Sequence, residues 1–354
     1  MKTLRSVEEI YQNAKVILRI DCDLPLDEGK ILDNSRLKKS IPTIRYLLEK
    51  NCKIGIVGHL GRPANSSAVM AGKPNNYDEK LSLRPVYLEL MQLLEIEGQD
   101  TLSSVFVDDI KNELKLSLAF ENNQIIFVEN IRFWEEEEKG DTGLFEKIKS
   151  IAPVFVNDAF AVAHRENASI IVHRDMETYY GLSFMEEVEK IRMILNRQEK
   201  PLTVILGGAK EDKLKYVNDL LKIADHILVG GKLPKLISLS VNQPISNKVL
   251  VAKLREDGLD LSEEDISKFI EIISSSKTII WSGAMGFYES LNSRNGTEKI
   301  AQAVAVADAN KIIAGGDTGA SIKNLGLGDK IDFVCSGGGV MLEMLVKGDL
   351  PAWS

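Results

Sequence analysis

Glycines at the ends of apolar runs are the first residues in this chain that point to chemistry. They stand as GGAK at 207–210 (Gly207, Gly208), GG at 230–231 (Gly231), SGAMG at 282–286, GGDT at 315–318 (Gly315, Gly316) and SGGG at 336–339 (Gly337, Gly338, Gly339). Glycine lets an anion approach the backbone, and a helix start offers free N–H groups at the positive end of its dipole. One such loop often only ends a strand. Several in one half of the chain point to a nucleotide. Lys210 has the charge to neutralise a transferring phosphoryl group. Asp317 suits Mg²⁺, a hard ion that takes few protein ligands, and reads equally well as a helix N-cap. No G-x-x-x-x-G-K-[ST] loop and no H-R-D or D-F-G set occurs.

The first half places arginines where the second places glycines. Arg19 and Asp21 close the run VILRI-D, HLGR at 59–62 closes KIGIV, ENIRF at 129–133 closes IIFV, and NDAFAVAHR at 157–165 closes VFV. The planar guanidinium fork suits phosphate and carboxylate. Four basic loops at one sheet edge imply a small anionic substrate, against the plainer reading of surface salt bridges. His59 or His164 alone would more often be structural. The run Glu135–Glu138 reads as a solvated face.

These loops need strands to carry them. Apolar runs at 16–20, 53–57, 104–107, 125–128 and 154–156 predict five strands in the first half, with helices near 37–50, 83–95 and 143–151. Runs at 203–206, 226–229, 278–281, 311–314 and 332–335 predict five more, with helices near 213–223, 263–275, 296–307 and 338–346. This alternation implies parallel sheets covered by helices on both faces. The 354 residues favour two domains, joined by the charged helical stretch from Gly181 to Arg197. Residues 65–80, rich in Ser, Asn, Gly and Pro, read as a mobile surface loop. The net charge of −8, with no long basic block, disfavours nucleic acid. Three cysteines without metal spacing, no signal-like start and no long apolar span predict a cytoplasmic protein away from membranes.

The order R-x-D, HLGRP, ENxRF, NDAF-x-x-AHR, GGAK, W-x-G-x-MG-x-x-E, GGDT and SGGG resembles the phosphoglycerate kinase family over residues 15–350. The resemblance implies two Rossmann-like domains, the first over 1–182 binding phosphoglycerate and the second over 183–339 binding nucleotide, with a tail from about 340 returning to the first. It implies reversible phosphoryl transfer between 1,3-bisphosphoglycerate and ADP, giving 3-phosphoglycerate and ATP, with Mg²⁺, by a monomer whose domains close. Residue by residue, it implies that Arg19, Asp21, Asp23, Arg36, His59, Leu60, Gly61, Arg62, Arg132, His164 and Arg165 hold the phosphoglycerate. It places Gly207, Gly208, Lys210, Lys213, Gly231, Glu289, Gly315, Gly316, Asp317, Thr318 and Gly337 on the nucleotide, with Asp317 on the metal. Arg36, Lys210, Gly338 and Gly339 would stabilise the migrating group.

The chain departs from the family pattern at several points. Asp23 replaces the Asn of R-x-D-x-N, and Asn167 replaces a second histidine after AHR. A carboxylate repels an anion unless a cation pairs with it, so Arg19 or Arg36 is expected beside Asp23. GGAKEDK is one residue short, which leaves the direction of Lys213 open. Ser282 and Ala284 stand where the family has Asn and Pro, and the stretch from Leu233 to Ser262 is abbreviated. These departures keep two other readings in view, a non-catalytic nucleotide or phosphoglycerate binder and a kinase for another acyl phosphate.

Overall fold

The computed structural model describes residues 4–63, 74–96, 102–196, 199–240 and 246–354. Most of the expected 65–80 loop therefore lies outside the described residues. The chain divides into two compact units, residues 1–188 with 349–354, and residues 189–348. The first division falls inside the helix Leu182–Asn196, so one continuous helix leads from one unit into the other. The second falls after the helix Gly338–Lys347, which belongs to the second unit.

The first unit contains β1 (Lys15–Arg19), a two-stranded hairpin of β2 (Leu26–Asp27) and β3 (Lys30–Ile31), then β4 (Lys53–Val57), β5 (Ser104–Val107), β6 (Ile125–Val128), β7 (Val154–Asn157) and β8 (Glu177–Tyr180). Its sheet has six parallel strands in the order β5-β6-β4-β1-β7-β8. The second unit contains β9 (Leu202–Leu206), β10 (His226–Val229), β11 (Val249–Val251), β12 (Thr278–Ser282), β13 (Asn310–Ala314) and β14 (Phe333–Cys335). Its sheet, also parallel, runs β11-β10-β9-β12-β13-β14. Strands β1, β4, β6, β7, β9 and β12 are buried almost throughout, as parallel strands covered on both faces must be. Both units are therefore α/β domains of Rossmann type, as expected.

Strand order reverses between β1 and β7 in the first sheet and between β9 and β12 in the second. Crevices for ligands open at the carboxyl ends of strands flanking such a point. Every motif loop picked out in the sequence leaves the carboxyl end of a strand, and those after β1, β7, β9 and β12 flank the two switch points.

Each sheet gains a strand that the apolar runs missed, Glu177–Tyr180 at one edge and the three-residue Val249–Val251 at another. The helices Glu113–Asn122, Pro234–Ser240 and Gly316–Asn324 are also additional. The helix expected over 213–223 is instead a 3-10 stretch, Glu211–Tyr216, followed by a single α turn, Val217–Leu220.

Residues 349–354 pack within the first unit. Trp353 packs edge-on against Phe184 at 5.9 Å and Tyr180 at 6.5 Å between ring centres. The Tyr180 hydroxyl donates to the Ala352 carbonyl at 2.8 Å, and the Ala352 N–H donates to the Ala163 carbonyl at 3.2 Å.

Candidate functional site

In the first unit the loops after β1, β4, β6 and β7 converge on His59. This imidazole is 2% exposed, and Arg19 Nη2 lies 2.7 Å from its Nδ1. A guanidinium can only donate, so Nδ1 is the acceptor and the ring proton sits on Nε2. Burial holds His59 well below the usual histidine range, and Arg19, Arg132, Arg165 and Arg36 push the same way. The ring is neutral near pH 7.

The arginines crowd one another. Burial, with Arg165 and Arg19 nearby, lowers the Arg132 guanidinium to about 10. Arg165 is lowered by burial and then by Arg62 and Arg19, with Asp23 opposing them. Arg132 Nη1 donates to the Gly61 carbonyl, and its Nε lies 3.9 Å from Glu138. Arg36, on the first turn of the helix Ser35–Glu49, donates to Asp21 at 3.4 Å and to the Asp23 carbonyl at 3.1 Å. Arg62 is exposed, while Arg165 and His164 are half-buried after the 3-10 turn Phe160–Val162. Leu60 is buried and pinned by Asn130, whose Nδ2 donates to its carbonyl at 2.8 Å.

Two sequence expectations need correction here. Of the two arginines expected beside Asp23, Arg19 does not pair with it, and Arg36 reaches its backbone carbonyl at 3.1 Å. Asp23 Oδ1 accepts the Gly61 N–H at 2.9 Å, and His59 Nε2 lies 3.9 Å from Asp23 Oδ2. Arg19 is 1% exposed and turned inward, with Nε on Ser169 Oγ at 3.1 Å and Nη1 on the Ile20 carbonyl. The Glu135–Glu138 run is not wholly a solvated face, because Glu137 is 1% exposed. It accepts from Ser169 through Oγ at 2.6 Å and N at 2.9 Å. Asn167 donates to the Glu137 carbonyl at 3.2 Å.

In the second unit the glycine loops pack on each other. The Gly208 N–H donates to the Ala284 carbonyl at 2.7 Å, and the Gly231 N–H to the Met285 carbonyl at 2.9 Å. A Cβ on Gly231 would sit 2.6 Å from the Gly208 nitrogen, and one on Gly207 or Gly283 would strike the opposite loop's backbone. At these positions glycine is needed for loop-on-loop approach, whatever else the loops hold. Gly315 differs. Its φ of 98° favours glycine, yet the nearest atom to an added Cβ would be the Gly338 nitrogen at 3.7 Å. The N-termini of the helices Gly316–Asn324 and Gly338–Lys347 thus lie side by side. Gly337 precedes the second of these helices and Gly339 lies in its first turn.

A cleft of about 640 Å³ opens beside these loops. Gly208, Gly231, Ala284, Tyr288, Glu289 and Arg294 are among its walls. Its size suits a nucleoside. Lys210 is exposed and precedes the 3-10 stretch. Lys213 Nζ donates to the Gly207 carbonyl at 2.9 Å and the Ser282 carbonyl at 3.0 Å, which places its charge at the switch point between β9 and β12. Thr318 is 1% exposed and accepts the Gly283 N–H at 2.7 Å, so it fixes a loop. Asp317 is the second residue of the helix Gly316–Asn324, at the carboxyl end of β13. No cluster of three or more His, Cys, Asp or Glu suited to a metal occurs among the described residues. One aspartate beside paired helix starts fits Mg²⁺ carried in on nucleotide phosphates.

Sequence reading missed Glu137, Ser169 and Asn130 as parts of the site. Asn130 lies inside ENIRF and was visible there; nothing in the sequence marks Ser169. Among the described residues no helix is long and apolar enough to cross a membrane.

Comparison with known proteins agrees with this arrangement. The family model described as phosphoglycerate kinase matches residues 7–254 and 240–348. A phosphoglycerate kinase of Clostridium botulinum (strain Loch Maree) is 31% identical, covering 98% of this chain and 97% of that protein. One from Acidobacterium capsulatum is 33% identical over 95% of this chain and 94% of its own length. Among solved structures, the phosphoglycerate kinase of Coxiella burnetii is 26% identical with a TM-score of 0.74, covering 99% of this chain and 98% of that one. The Pyrococcus horikoshii phosphoglycerate kinase shares the fold at a TM-score of 0.79 and 24% identity, with 99% and 98% covered. Sequence, fold and loop placement converge: the chain belongs to the phosphoglycerate kinase family.

Proposed function

We propose that this chain is an active phosphoglycerate kinase, a cytoplasmic monomer that moves a phosphoryl group between 1,3-bisphosphoglycerate and ADP to give 3-phosphoglycerate and ATP. The observation that carries this reading is the cluster of arginines around neutral His59, in which burial and neighbouring guanidinium groups lower Arg132 and Arg165. Such a cluster calls for an anion of more than one charge. Asp21, Asp23, Arg36, His59, Arg62, Arg132, His164 and Arg165 bind and orient 3-phosphoglycerate, with Leu60 and Gly61 shaping the loop. Gly207, Gly208, Gly231 and Glu289 border the nucleoside, while Lys213 and the amides at 315–318 and 337 face its phosphates.

Arg36, Lys210 and the amides of Gly338 and Gly339 stabilise the equatorial oxygens of the migrating group. The ADP oxygen attacks an acyl phosphate directly, so no general base is needed in that direction. Catalysis is positioning plus electrostatics. Mg²⁺, held by Asp317, would neutralise charge on the nucleotide phosphates. A coupled assay with 3-phosphoglycerate and Mg·ATP tests the reading. Turnover supports it. Binding of both ligands without turnover makes the chain a non-catalytic binder, and turnover only with another carboxylate makes it a kinase for a different acyl phosphate.

A further inference from the structure

Glu137, Ser169, Arg19 and His59 form one continuous hydrogen-bonded line behind the anion site. The line crosses separate segments of the first unit. Ser169 is fully buried. Its hydroxyl donates to Glu137 Oε1 at 2.6 Å and accepts from Arg19 Nε at 3.1 Å, so one oxygen serves both neighbours. The second Glu137 oxygen takes the Ser169 N–H at 2.9 Å, which leaves the carboxylate little freedom to rotate. Arg19 Nη1 is anchored on the Ile20 carbonyl and Nη2 reaches His59 Nδ1 at 2.7 Å.

Each link forces the next. A buried guanidinium needs a balancing charge. Burial raises the Glu137 carboxyl, Arg19 and the two Ser169 donors oppose this, and with a donor on each oxygen Glu137 is set to supply that charge through the serine. The guanidinium plane is then fixed at Nε and Nη1, which aims Nη2 at the ring. The donor at Nδ1 obliges the imidazole to carry its proton on Nε2, the edge that faces Asp23 Oδ2 at 3.9 Å. We propose that Glu137 is a positioning residue for the anion site, holding His59 as a fixed Nε2–H donor through Ser169 and Arg19. Arg19 on this account acts through His59 and is not itself a ligand of the substrate. The role of His59 toward the substrate rests on the function proposed above; the orientation of its ring does not.

The test uses the full-length chain and the variants E137Q and S169A. The first substitution keeps the size of the side chain, removes its charge and sets an amide N–H₂ against the Ser169 N–H. The second removes only the hydroxyl bridge. The first readout is the His59 tautomer from ring ¹⁵N shifts, assigned against H59Q. The expected result is a fixed Nε2–H form in the unsubstituted chain and a mixed or reversed form in both variants. The second readout is calorimetric titration. Loss of a charge-assisted contact predicts 3-phosphoglycerate affinity weaker by about tenfold or more, with ADP affinity unchanged. Unchanged ring shifts and unchanged 3-phosphoglycerate affinity in S169A would overturn the proposal. Should the unsubstituted chain fail to bind 3-phosphoglycerate, the functional reading falls, and the ring shifts alone decide for or against the relay.

Discussion

Asp158 offers a measurement that reads the junction between the first unit and its long helix. It follows β7 and is 5% exposed. Its Oδ1 accepts the Phe184 N–H at 2.9 Å in the first turn of the helix Leu182–Asn196. Gly181 packs so closely that a Cβ there would strike the carboxyl group. Burial raises Asp158 from 3.8 to about 7; hydrogen bonds from Phe184 and Thr43 oppose the shift and the nearby Glu187 adds to it. Between about pH 4 and 7 the folded chain holds a proton that the unfolded chain has released. Stability from this group is therefore full at low pH, falls as pH rises through that window and levels off above it. Each pH unit inside the window is worth about 1.4 kcal/mol. Asp158→Asn keeps the acceptor for Phe184 and cannot ionise. Urea unfolding at pH 5 and pH 8, followed by circular dichroism, should show the unsubstituted chain losing about 3 kcal/mol more than the variant. Parallel stability–pH curves for the two proteins would refute the assignment of this titration to Asp158.

Three further outcomes follow from the loops of the two units. Arg62→Ala and Arg165→Ala should each weaken 3-phosphoglycerate binding by about 1.5–3 kcal/mol while leaving ADP binding intact, as calorimetry would register. Asp23→Asn should tighten 3-phosphoglycerate binding without loss of turnover, because the amide oxygen still accepts from Gly61 and one negative charge leaves the cluster. Abolished activity in that variant would instead make the carboxylate part of the chemistry. Asp317→Ala should lower kcat far more than stability, since Asp317 lies in the first turn of its helix, where Gly315 and not Asp317 is the N-cap, and a first-turn carboxylate is worth only about 0.3–1 kcal/mol; steady-state rates across a Mg²⁺ series beside a thermal melt separate the two.

The sequence was legible where burial leaves a composition signal. Central parallel strands such as Ile125–Val128 are apolar on both faces and announce themselves. Glu177–Tyr180 does not, because an edge strand with an exposed glutamate and a half-buried threonine carries no continuous apolar run. Val249–Val251 is too short to stand out. The site was legible as loop positions and much less as contacts. Glu137 stands among three other glutamates and differs from them only by meeting Ser169, 32 residues on. The partner of Asp23 is a backbone amide, which no side-chain pattern reveals. The direction of Lys213, left open by the shortened motif, is set by two carbonyl groups at neighbouring strand ends.

The return of residues 349–354 to the first unit has a consequence for how the chain is born. Tyr180 and Phe184 leave the ribosome long before Trp353, with the whole second unit, residues 189–348, made in between. At roughly 5–20 residues per second that interval is on the order of ten to thirty seconds. The nascent first unit waits through it with Tyr180 and Phe184 lacking their indole neighbour. Folding can begin from the N-terminus, but the aromatic corner closes only after residues 349–354 have been translated. A ribosome stalled just short of Trp353 should therefore display a first unit more readily cut by protease than the released chain.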